Sequence, residues 1–180
     1  MAERLVGKQA PLFVLDAVMP DKTFGTVSLE QIMNEGKWTI LFFYPNDFTF
    51  VCPTEITAIS DRYEEFQELN AEVIGISTDS LYSHYAWINT ERTKNGIGPL
   101  NYPLASDRNH LVSREYGVLI EEKGVAMRGL FIIHPSGEIQ YEVVHHNNVD
   151  RDIDEVLRVL QALQTGGLCP ANWQPGQSTL

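Results

Sequence analysis

Cysteine is scarce in this sequence: among 180 residues there are two, Cys52 and Cys169, 117 positions apart. Two thiols cannot complete a structural zinc site by themselves, and without a C-x-x-C pair the usual dithiol redox signature is missing. Basic residues are also few. Thirteen Lys and Arg face 24 Asp and Glu, a net charge of −11. So acidic a surface argues against nucleic acid and anionic membranes as partners, because both need a basic patch. No apolar run approaches the ~20 residues that span a bilayer, and residues 1–8 offer no stretch long enough for a signal peptide. We therefore expect a cytoplasmic protein, in which thiols stay reduced and a cysteine pair is more often transient and catalytic than structural. No G-x-x-x-x-G-K-[S/T] occurs, and Gly96-Ile97-Gly98 lacks the rest of a dinucleotide fingerprint. Nucleotide binding has no support.

Hydrophobic residues make up 43% of the chain, enough for one domain with a substantial core. Residues 38–44 (Trp-Thr-Ile-Leu-Phe-Phe-Tyr) read as a buried strand, and 72–77 as a second. Between them, from about Cys52 to Leu69, Ile56, Ile59, Tyr63, Phe66 and Leu69 recur at helical spacing with charged residues between. Strand, helix and strand form a βαβ unit with parallel pairing. A second helix is expected from about Ser80 to Thr93, capped by Asp79 or Ser80, and a short one near 109–116. Residues 125–134 and 138–146 flank the turn Pro135-Ser136-Gly137 as a hairpin. A closing helix over 150–164 has Asp152, Asp154 and Glu155 crowding its first turn. This is the order of a thioredoxin-like α/β domain: a central mixed sheet flanked by helices. Residues 1–37 and 94–124 would be additions to it, and a Gly/Pro-rich tail over 164–180 carries Cys169 beyond a domain of residues 1–163.

Cys52 holds the most informative position. A buried strand ends, a polar turn follows, and the cysteine opens a helix whose positive N-terminal end favours thiolate, the reactive form. A cytosolic cysteine is otherwise a small buried hydrophobe, and its neighbours argue against that here. Thr49, three residues earlier, can donate a hydrogen bond to a thiolate or to a bound oxygen, although an N-cap or turn role alone would account for it. Arg128 is the one charge beside the apolar run 129–133, either on a sheet edge or aimed at the strand-end site. Gly129 beside it allows close backbone approach. His145 and His146 point to opposite faces of a strand and cannot easily share a metal ion. His84, His110 and His134 are isolated and read as surface or structural.

These residues carry a resemblance. Phe43-Tyr44-Pro45 followed by Thr49, Val51-Cys52-Pro53-Thr54-Glu55, Met127-Arg128-Gly129-Leu130-Phe131-Ile132-Ile133 and Leu168-Cys169-Pro170-Ala171-Asn172-Trp173 resemble the peroxiredoxins of the typical two-cysteine, alkyl hydroperoxide reductase C-like branch. The likeness extends over nearly the whole chain, including 83–89 and 150–155. It implies that Cys52 is the peroxidatic cysteine, which a hydroperoxide oxidises to sulfenic acid. Arg128 would then stabilise the thiolate and the developing charge, Thr49 orient the peroxide, Pro45 shield the sulfur and Glu55 hold Arg128. It implies that Cys169 of a partner subunit resolves the sulfenic acid as an intersubunit disulfide in a homodimer, with decameric rings beyond. Thioredoxin or a flavin-containing disulfide reductase would be the electron donor, and no metal or organic cofactor is implied. Two departures stand out: Asn95-Gly96-Ile97-Gly98 where the family has Gly-Gly-Leu-Gly, and a chain ending 11 residues after Cys169. Both bear on sensitivity to over-oxidation. Rival readings are a ring-forming thiol chaperone and a cysteine hydrolase; peroxide consumption with a dithiol, and absence of ester or amide cleavage, separate them.

Overall fold

The structure is a computed structural model that describes residues 3–180. A hairpin of β1 (Val14–Val18) and β2 (Phe24–Ser28) leads into α1 (Leu29–Asn34) and β3 (Trp38–Phe43). Helices α2 (Cys52–Asp61) and α3 (Tyr63–Glu68) connect β3 to β4 (Ala71–Ser77), and α4 (Leu81–Ile88) leads to β5 (Leu104–Ser106). Then come α5 (Leu111–Glu115), β6 (Leu119–Ile120), β7 (Val125–Ala126), β8 (Arg128–Ile133), β9 (Ile139–His145) and α6 (Ile153–Gln164). Seven strands form one mixed sheet in the order β2-β1-β5-β4-β3-β8-β9, while β6 and β7 make a separate small ribbon.

The centre of the sheet follows from sequence. β3 is apolar but for Thr39, buried on both faces and paired parallel to β4 and antiparallel to β8. Successive side chains of a strand point to opposite faces. Ile40, Phe42, Val73 and Ile132 therefore join Ile56 and Ile59 of α2, Trp87 of α4 and Leu157 of α6 in one core. Leu41, Phe43, Ile74 and Ile133 join Leu29 of α1 and Val112 of α5 in the other. The expected additions extend the β4 edge: β5 pairs parallel to β4, β1 antiparallel to β5, and β2 closes that side.

Several expected elements are shorter or broken. The helix expected over 52–69 is interrupted at Arg62 (φ −109°, ψ 15°). Asn101 takes Ser60's carbonyl through Nδ2 at 2.9 Å, so the helical ladder loses that acceptor. The helix expected to reach Thr93 stops at Ile88; a 3₁₀ turn at Arg92–Lys94 follows, and Asn95 turns left-handed at φ 62°. The strand expected over 125–134 is two strands, because Met127 turns to donate its N–H to Val118 O at 2.8 Å. α6 begins three residues later than expected, with Asp152 as its cap, accepting from Glu155 N at 3.2 Å.

Candidate active site

The site lies where β3 ends. Residues 44–51 cross from the sheet to α2, and Cys52 opens that helix, fully buried. Arg128, first residue of β8, approaches from the neighbouring strand. Its Nη2 donates to Cys52 Sγ at 3.2 Å. This settles the two readings of Arg128, because β8 is an interior strand between β3 and β9 and the guanidinium is buried with the thiol. Next to it, Gly129 lets Val118 pack closely on the other face of β8, where a Cβ would stand 2.5 Å from Val118 Cγ1.

A buried cation needs partners. Arg128 Nε donates to Asn147 O at 2.9 Å, and Nη1 lies 3.4 Å from Glu55 Oε2 and 3.2 Å from Asp150 Oδ1. Glu55, one turn along α2 from Cys52, also pairs with Arg151, whose Nη1 donates to Gly129 O at 2.6 Å. Two carboxylates and two guanidiniums thus interlock behind one sulfur. Burial pushes the Glu55 carboxyl above its ordinary range, Arg151 pulls it back, and the neighbouring Asp150 adds to the rise.

Pro45 is buried at the strand end. Thr49 is half-buried, and its hydroxyl donates to Asn46 O at 3.1 Å rather than to the sulfur. Below this loop lies a network that the sequence did not suggest. Tyr44 Oη donates to Asp47 Oδ1 at 2.6 Å, and Asp47 Oδ2 meets His84 Nδ1 at 2.7 Å. His84 Nε2 faces Ala105 O at 2.9 Å. His84 is therefore structural and wholly interior, not a surface residue. Both ring nitrogens face acceptors, an arrangement that suits the doubly protonated ring. Burial opposes charge on His84, but the bond to Asp47 and its charge outweigh it and raise the ring's pKa.

Cys169 is elsewhere. Its sulfur is half-buried at the end of α6, 3.7 Å from Ala162 O and 3.6 Å from Thr165 Oγ1. Asp150 and Arg151 precede the start of that helix, so about 18 Å of helix axis separates the two ends. Both cysteines are unpaired thiols. The arm beyond α6 folds back on itself: Trp173 is buried, and Leu180 N donates to Leu168 O at 2.8 Å. Among the described residues no group of three His, Cys, Asp or Glu is placed to hold a metal ion.

A lone buried thiol at a helix start, with an arginine donating to its sulfur on a thioredoxin-like sheet, defines a thiol-based redox enzyme. Comparison with known proteins agrees. The profile of the AhpC/TSA family matches residues 6–142. The peroxiredoxin YkuU of Bacillus subtilis is 72% identical over the full length of both chains. The chloroplast 2-Cys peroxiredoxin BAS1 of Spinacia oleracea is 51% identical, covering 98% of this chain and 67% of its own. The crystal structure of the reduced 2-Cys peroxiredoxin of Plasmodium vivax superposes with a TM-score of 0.95 at 41% identity, over 98% of this chain and 93% of that one. The chain belongs to the peroxiredoxins of the AhpC/TSA family, in the typical two-cysteine branch, and is a thiol peroxidase with an antioxidant role.

Proposed function

We propose that Cys52 is the nucleophile of a two-step peroxide reduction. Its thiolate attacks the terminal oxygen of a hydroperoxide; the O–O bond breaks, Cys52 becomes a sulfenic acid, and the alkoxide or hydroxide takes a proton to leave as alcohol or water. Arg128, 3.2 Å from the sulfur, stabilises both the thiolate and the charge growing on the departing oxygen. Thr49 turns its hydroxyl from Asn46 to orient the peroxide, Pro45 keeps water from the sulfur, and Glu55 fixes Arg128. Cys169 of a second subunit then condenses with the sulfenic acid, forming a disulfide and releasing water. A dithiol donor, thioredoxin or a flavin-containing disulfide reductase, reopens it by exchange and is itself oxidised to a disulfide.

The placement of Cys169 at the far end of α6 supports an intersubunit rather than an intrachain bond. Beyond Ile139 the outer edge of β9 has no partner strand among the described residues, and a second copy can extend such an edge into a homodimer. An exposed aromatic cluster, Phe24 packed edge-to-face at 5.9 Å from Tyr82 and at 5.6 Å from Tyr85, suits further assembly into a decamer. We assign residues 1–163 to the catalytic domain and 164–180 to the resolving arm, working in the cytoplasm. The Arg128–Cys52 contact carries this reading. Cys52→Ser should abolish reduction of hydrogen peroxide in the presence of a dithiol, because a serine hydroxyl is not ionised near neutral pH. Near-normal turnover by that variant would sink the proposal.

A further inference from the structure

Asp150 lies in the loop between β9 and α6 and takes no part in the steps above. Its two oxygens face two different parts of the site. Oδ2 accepts from Thr54 Oγ1 at 2.6 Å, and Oδ1 lies 3.2 Å from Arg128 Nη1. Thr54 is two residues beyond Cys52 in the first turn of α2, and its hydroxyl also lies 2.8 Å from Val51 O. The single hydroxyl proton thus has two acceptors, of which the carboxylate is the nearer and the charged one. One side chain therefore ties the turn that carries Cys52 to the arginine that donates to its sulfur.

The Asp150 side chain is 21% exposed, against 2% for Arg128. Its Oδ1 is buried and accepts no well-aligned hydrogen bond, so the contact with Arg128 is an ion pair. Oxidation of a thiolate to a neutral sulfenic acid would remove one anion from Arg128 and leave Glu55 and Asp150 as its partners. The tie would therefore persist after the chemical step. That matters because Cys52 is fully buried and Cys169 stands at the far end of α6, so the first turn of α2 has to open before the two sulfurs can meet.

We infer that Asp150 is a positioning residue, a latch that holds the first turn of α2 against Arg128 and sets how fast that turn opens. Its consequence for catalysis rests on the peroxidase reading above: slower opening gives the sulfenic acid longer to meet a second peroxide and become sulfinic acid.

Three variants isolate the latch. Thr54→Val removes the donor and keeps the charge, Asp150→Ala removes the acceptor and the charge, and Asp150→Asn keeps an oxygen for Thr54. Hydrogen exchange of the peptide covering residues 51–57, followed by mass spectrometry on the reduced protein, reads the opening without any peroxide. Exchange should be about fivefold faster in Thr54→Val and in Asp150→Ala, the factor for a net hydrogen bond of about 1 kcal/mol. The double variant should be no faster than Asp150→Ala, and Asp150→Asn should stay closer to the parent. During turnover at fixed hydrogen peroxide, the sulfinic share of Cys52 should fall in the two fast variants. Unchanged exchange in both, or additive effects in the double variant, overturns the latch. If Asp150→Ala fails to fold, the exposed Thr54→Val change carries the test alone. A parent protein that consumes no peroxide would instead count against the peroxidase reading, and the exchange result would still decide the latch.

Discussion

Arg128 carries a full charge on a strand whose every other residue is buried and apolar. It is tolerable there because Asn147 O, Glu55 and Asp150 take up its other donors. The sulfur therefore sees a cation held in place from three sides. Arg128→Met should slow peroxide attack on Cys52 on the order of 10²-fold, the scale of losing one donor aimed at a developing charge. Stopped-flow kinetics of the reduced protein with hydrogen peroxide would measure it, and the loss should persist at high pH. Full rescue by raising the pH would show that Arg128 serves thiolate formation alone. Cys52 and Arg128 were both legible in the sequence because each breaks a local rule, a thiol at a helix start and a charge beside an apolar run. Asp150, Arg151 and Asn147 were not. Each sits in a polar stretch before α6, where charges look like ordinary capping residues, and only the fold brings them to Arg128.

At the scale of elements, β3, β4 and the amphipathic stripe of α6 were readable from burial pattern, and α6 buries Ile153, Val156, Leu157 and Leu160. The β1–β2 hairpin was not. Each strand alternates exposed and half-buried residues over only its first three positions before its buried end, with Asp16 and Gly25 inside them, too short and polar for a clear period. The link between the β3–α2 loop and α4 was hidden for another reason. Asp47 and His84 are 37 positions apart, and a lone histidine on a helix gives no sign of its partner. Because the His84 pKa is raised in the folded state, the folded chain holds this proton more tightly than the unfolded one. Its stabilisation is complete below the unfolded value, about 6.5, and is lost as pH rises through the folded value. Chemical denaturation from pH 6 upward should show stability falling, with the His84 share no steeper than about 1.4 kcal/mol per pH unit. His84→Gln should be less stable and should lack that share of the slope. A parent whose stability rises over this range, with the variant following the same curve, would contradict the assignment.

At the scale of the whole molecule, the sheet brings the site together and also keeps the second thiol away from it. β8 delivers Arg128 to the end of β3, and the same strand order leaves β9 as the outer strand beside α6 and its arm. Trp173 anchors that arm: its Nε1 donates to Gln177 O at 3.1 Å, and Arg158 Nη1 donates to its carbonyl at 2.9 Å. On the proposed mechanism, Cys169 meets the Cys52 sulfur of a second copy that presents its own opened turn. The measurement that tests this most directly treats the reduced protein with one equivalent of hydrogen peroxide, blocks remaining thiols, and runs a denaturing non-reducing gel with peptide mapping by mass spectrometry. The account predicts a covalent dimer that returns to monomer with dithiol, a cross-linked peptide joining Cys52 to Cys169, and loss of that peptide in Cys169→Ser. An oxidised monomer with Cys52 bonded to Cys169 of its own chain, or a Cys52 left unmodified while peroxide disappears, would contradict it.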